Sequence, residues 1–99
     1  MKSMIHKFEI SITDRSEFRT HHVLRWLSVD VQRERPVIWA VVDVETPLRQ
    51  VTVLVRGTGH AMTGDEGRHL GTIQLDGGSL IFHVFLPIGT PQDRIGTSS

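Results

Sequence analysis

Val37-Ile-Trp-Ala-Val-Val-Asp-Val44 decides the fold. Five of its eight residues are β-branched, and it is apolar on both alternating faces until Asp43. Such a run predicts a central strand covered on both sides, in a sandwich or a barrel. Pro36 has no N–H to give to a ladder and should sit at the strand start. Gln32 to Arg35 reads as the charged turn before it. Working towards the N-terminus, Val23 to Val31 predicts a strand with Val23, Leu27, Val29 and Val31 on one face. Leu24, Trp26, Ser28 and Asp30 fall on the other face, and a helical turn competes over His21 to Arg25. Glu17 to His21 predicts a short strand after the turn-prone Thr13-Asp-Arg-Ser16. Met4 to Ile12 alternates, with Met4, His6, Phe8, Ile10 and Ile12 facing in and Lys7, Glu9 and Ser11 facing water.

Towards the C-terminus, Glu45 to Leu48 is a connection and Gln50 to Arg56 a strand with Val51, Val53 and Val55 on one face. Gly57 to Gly67 is a long glycine-rich loop. Leu70–Leu75 and Ser79–Leu86 flank Asp76-Gly77-Gly78, where glycine supplies positive φ for a hairpin. The second arm is apolar on both faces and should be central, and Pro87 should end it. The expectation is all-β: a small sandwich or partly open barrel of six to seven mostly antiparallel strands with a C-terminal hairpin. Residues 1–86 form one β domain in this reading, and 87–99 a flexible tail.

The chain has 99 residues, enough for one core and too few for two. Its 11 basic and 11 acidic residues cancel, which argues against a nucleic-acid wrapper. Arg15, Arg19 and Arg25 interleave with Asp14, Glu17 and Asp30, so ion pairing is the simpler account of the local positive charge. With no cysteine, a disulfide framework, a zinc ribbon and a Cys nucleophile are excluded. No apolar run approaches the ~20 residues of a membrane span, and the start lacks a signal-peptide pattern. The expected location is the cytoplasm.

Four motifs taken in order resemble an uncharacterised family of small proteins from bacteriophages, prophages and some bacteria. They are Val37-Ile-Trp-Ala-Val-Val-Asp43, Gly57-Thr-Gly-His60, Leu70-Gly-Thr-Ile-Gln74 and Gly78-Ser-Leu-Ile-Phe-His-Val-Phe85, with His6-Lys-Phe-Glu9 fitting the same pattern. The resemblance runs over residues 4–86. It implies a phage or mobile-element setting and brings no catalytic residue with it.

Candidate chemistry is sparse. A metal site is a weak alternative through His60, His69 and His83, because no His-x-His or His-x-x-x-His pair occurs and no cofactor is expected. Arg56, Gly57, Gly59 and His60 follow a strand and resemble an anion-holding loop, the basis of an alternative reading as a small-ligand or nucleotide binder through residues 56–67. The dinucleotide fingerprint fails, since Met62 stands where its third glycine belongs. No nucleophile elbow appears, and the carboxylate pairs are weak candidates, Asp65-Glu66 in a loop tip and Asp43-Glu45 at a strand end, so no enzyme is expected. The main expectation is a binding protein that engages a host or phage protein. Trp26 and Arg25 would anchor the interface, with Arg19, Arg33 and Arg35 beside them. Inhibition of a bacterial defence system such as CRISPR interference would be its task. Trp39, mid-strand among Val and Ala, is expected in the core. A homodimer through strand edges and a structural virion component are further expectations.

Overall fold

A computed structural model describes residues 1–90. It contains seven strands: β1 Ser3–Glu9, β2 Arg15–Thr20, β3 His22–Gln32, β4 Arg35–Asp43, β5 Arg49–Gly57, β6 Glu66–Leu75 and β7 Leu80–Pro87. They form a three-stranded sheet, order β1-β4-β3, and a four-stranded sheet, order β2-β5-β7-β6, with every pairing antiparallel. The two sheets do not close into a barrel. β4 is the middle strand of the first sheet and β7 an inner strand of the second, as their two-sided apolar sequences predict. No helix among the described residues is long and apolar enough to cross a membrane. Residues 91–99 of the expected tail lie outside the described residues, and Pro87, its expected first residue, closes β7.

The core lies between the sheets. Ile38, Ala40 and Val42 of β4 meet Val53 and Val55 of β5 and Val84 and Leu86 of β7, all nearly inaccessible to water. An aromatic chain closes one side: Phe8 stacks on Phe18 with centroids 4.6 Å apart, and Phe18 meets the Trp26 ring edge-on at 6.4 Å. On the other side β3 and β6 come so close that a Cβ at Gly71 would lie 3.2 Å from Val29 Cβ. Only glycine at position 71 permits this spacing without a shift of the valine.

Strict alternation fails in β3, and this failure moves Trp26 to the core face. The β3–β4 register slips between Val23 and Arg25 and again between Trp26 and Ser28. Each slip inserts one extra residue, Leu24 and then Leu27, and an extra residue flips the phase of everything beyond it. Trp26 consequently pairs with Ala40 on the core face and is 6% exposed. The expectation that Trp26 stands on the polar face is corrected: it is a core residue. Trp39 is the converse correction. Its neighbours Ile38 and Ala40 point into the core, so Trp39 points out of the sandwich and remains half-buried.

Turns set the remaining geometry. β3 and β4 are joined by Arg33 and Glu34, both at positive φ (53° and 64°), the conformation of a two-residue hairpin turn that asparagine and glycine favour. β2 passes into β3 through His21 alone, so the chain crosses from one sheet to the other in a single residue. Thr46 holds that corner: its Oγ1 accepts from the His22 N–H (2.8 Å) and donates to Asp43 O (2.6 Å), while its carbonyl meets His21 Nδ1. The β6–β7 hairpin turns through one 3-10 turn, Asp76–Gly78, with positive φ at all three residues.

Candidate functional site

The outer face of the β1-β4-β3 sheet carries the strongest candidate surface. The register places Ile5, Val41 and Arg25 on one rung and Lys7, Trp39 and Ser28 on the next. Ile5 is 64% exposed, and Leu27, the extra residue of the second bulge, is 41% exposed nearby in sequence. An aromatic, two aliphatic side chains and two cations thus share two adjacent rungs with no carboxylate among them. Acidic residues of this face sit towards the strand ends and are engaged. Glu9 pairs with Arg35 at 3.1 Å. Asp43 accepts the N–H groups of Lys2 and Glu45. Burial raises the Asp43 pKa, the two backbone N–H groups outweigh it together with the nearby chain terminus and His22, and the net shift is downward. The central rungs are therefore net positive.

The sequence-flagged arginines separate. Arg25 lies on this face beside Val41. Arg35 is held by Glu9, and Arg33 occupies the hairpin turn, so both stand at the end of the same sheet. Arg19 belongs to β2, opposite Gln50 in the other sheet, and does not join them. Trp26 is inside. Sequence reasoning misplaced both tryptophans, and for Trp26 the residues of β3 carried a warning. The signal was present: Val23, Leu24, Trp26, Leu27 and Val29 are apolar in a pattern no uninterrupted period of two can bury, which requires a bulge.

Arg56 builds a latch. Arg56 as a residue is 7% exposed, and each of its five N–H donors has an acceptor. Nε donates to Glu66 Oε2 at 2.7 Å, Nη1 to the carbonyls of Asp14 and Val55, and Nη2 to Thr63 Oγ1 and Asp65 Oδ1. No Arg56 donor is left for a phosphate in this arrangement, so the guanidinium that was expected to join Gly57, Gly59 and His60 in holding an anion is engaged within the fold. Gly57 instead seats the His60 ring, since a Cβ there would lie 2.9 Å from Nδ1, and Gly59 supplies a positive φ of 89°. Glu66 is the acidic half of the latch. The Thr63 N–H, opposed by burial and assisted by the Arg56 side chain and the Gly64 N–H, holds its pKa down at about 2. The glycine-rich loop is thereby tied to the end of β5 and to the β1–β2 connection.

The histidines meet only in part. His83 Nε2 is 2.8 Å from Thr58 Oγ1, and its Nδ1 is 2.9 Å from Thr72 Oγ1, which also reaches His69 Nε2 at 3.1 Å. A Thr–His–Thr–His chain runs across the outer face of the second sheet. His60 does not complete a metal site with it: among the described residues no group of three or more His, Asp or Glu is placed to hold a metal ion.

Comparison with known proteins adds one finding. The chain belongs to the family described as Domain of unknown function (DUF7352), whose model matches residues 1–93. No curated protein and no solved structure matches the chain.

Proposed function

From that membership, which carries no activity, we propose that the chain is a non-enzymatic binding domain. It engages a protein partner through the outer face of the β1-β4-β3 sheet, in the phage or mobile-element setting that its motifs imply. Blocking a bacterial defence protein such as a CRISPR effector is the task this reading assigns to it. One observation carries it: Trp39 lies half-buried between Lys7 and Ser28, next to exposed Ile5 and exposed Arg25. A rigid aromatic flanked by aliphatic groups and a guanidinium is the composition of an interface anchor. The charge specifies the partner. The central rungs bring Lys7 and Arg25 and no carboxylate, so a second copy of the same face would set cation against cation. The surface fits a different protein that presents apolar and acidic side chains together. Support for a non-enzymatic reading comes from Arg56 and Glu66, whose polar atoms are engaged in holding a loop.

Affinity capture from a bacterial lysate tests this reading. Wild type, Trp39→Ala, Arg25→Glu and Gln74→Ala are compared, Gln74 lying on the β6–β7 hairpin of the other sheet. The expected result is an acidic protein retained by wild type and Gln74→Ala and lost from the other two. Equal retention by all four contradicts the reading.

A further inference from the structure

We propose that the second sheet carries a separate slot that takes an extended acidic peptide by strand addition to β5. β5 pairs with β2 along Arg49–Leu54, but its ladder with β7 covers only Leu54 to Gly57. Arg49 to Val53 therefore have a neighbour on one side and no register partner on the other among the described residues.

The reason lies in Pro87. Val55 N–H bonds towards β2, to Asp14 O, and Thr58 N–H bonds towards β7, to Ile81 O. In an antiparallel strand these directions alternate residue by residue, so Gln50 and Thr52 aim their N–H and C=O towards the β7 side. Continuing the register Leu54–Phe85 brings Pro87 opposite Thr52, and proline has no N–H for the Thr52 carbonyl. The chain then leaves β5: Ile88 N–H bonds to Asp65 O beside β6, Thr90 N–H closes a turn on Pro87 O, and Gly89 has φ 90°.

A cleft of about 480 Å³ opens in the fork between β5 and residues 87–90. Trp26, Val23 and Val51 give it apolar walls, Arg15 and Arg49 line it, and among the described residues no carboxylate lines it, Glu17 being turned to the Gln50 and Thr52 side chains from β2. Arg49 is exposed and makes no ion pair with a described residue, and Arg15 has only a long contact of 3.9 Å to Asp65. The five residues Arg49–Val53 span about 17 Å of strand at ~3.4 Å each, which is room for a segment of four to six residues. Main-chain bonds to Gln50 and Thr52 would supply affinity, and the arginines would select carboxylate side chains. This site is on the opposite sheet from Trp39 and does not rest on the partner face.

The test is an amide NMR titration of the full chain. The probes are a blocked pentapeptide of alternating Glu and Val, its Lys counterpart, and inorganic phosphate. The expected result is movement of the Gln50 and Thr52 amides with the acidic peptide and neither control. Arg49→Glu should weaken binding by at least about tenfold. Thr52→Pro removes the N–H that faces the β7 side and no main-chain bond to β2, losing there only the long 3.4 Å hydroxyl contact to Glu17, and should abolish the Gln50 shift while leaving the β2 amides in place. The proposal is overturned if the acidic peptide moves neither amide, if the basic peptide binds equally, if phosphate alone reproduces the shifts, or if both variants bind as wild type. Because the readout sits on β5, its failure leaves the Trp39 reading standing, and failure of the lysate capture leaves this one.

Discussion

At the residue scale, the two tryptophans carry most of the functional consequence. Trp26 is packed among Phe18, Ala40 and the β-sheet core, so truncation should remove a large buried ring. Trp26→Ala is expected to lower stability by about 3–5 kcal/mol, read by urea unfolding. A loss below about 1 kcal/mol would mean the ring is not core. Arg33 and Glu34 behave in the opposite sense. Both hold positive φ without being glycine, which costs about 1–2 kcal/mol per residue for an ordinary side chain. Replacing the pair with Asn-Gly should raise the thermal midpoint, by about 4–8 °C for each kcal/mol relieved in a domain of this size. An unchanged or lowered midpoint would show that the charged pair gains compensating contacts. The sequence placed a turn here and gave no sign of its strain, because Arg and Glu carry no turn preference.

At the element scale, bulges and latches decide where side chains go. Existence of every strand was legible from β-branched runs and turn residues, and β4 and β7 were recognisable as inner strands. The phase of β3 was legible only in part: its apolar pattern calls for a bulge, but where the bulges fall is settled by pairing with β4. The Arg56 latch was hidden for a related reason. Arg56 and Glu66 are ten residues apart across a loop, and only the folded strands bring Asp14 into the same network. The latch gives a pH signature. Glu66 is held at about 2 against an ordinary 4.5, so its ionised form is favoured by folding. Its contribution is fully present above pH 4.5 and is lost as the pH falls towards about 2. Glu66→Gln should melt earlier than wild type at neutral pH, with the gap narrowing over that acid window. A gap independent of pH would contradict the latch. β6 offers a steric test. A Cβ at Gly67 would lie 2.8 Å from the Leu86 carbonyl, where backbone must move, whereas at Gly71 it meets a valine side chain at 3.2 Å. Gly67→Ala should therefore destabilise more than Gly71→Ala, within the ~1–3 kcal/mol typical of overpacking, and the reverse order would place the β6 backbone elsewhere.

At the scale of the whole molecule, a 3 + 4 sandwich without closure leaves two outer faces and four edge strands to account for. The second sheet fills much of its outer face with Leu54, Arg56, the His69–His83 chain and Phe85. The first sheet sets Ile5, Trp39 and Val41 beside Lys7, Arg25 and Ser28, which is why the proposed partner surface is assigned there. The fold class followed from the sequence because strand propensity and turn spacing are local. The candidate site did not, because the facing of Trp26 depends on the register of β3 against β4, and that of Trp39 on which face of β4 meets the second sheet. Both the proposed interface and the chemistry of its partner rest on the exchange of places between Trp26 and Trp39. Acrylamide quenching of two single-tryptophan variants tests it most directly. Trp26→Phe leaves Trp39 as the emitter and should quench readily with red-shifted emission. Trp39→Phe leaves Trp26 and should be shielded and blue-shifted. The opposite order would return Trp26 to the surface and remove Trp39 as the anchor of the interface.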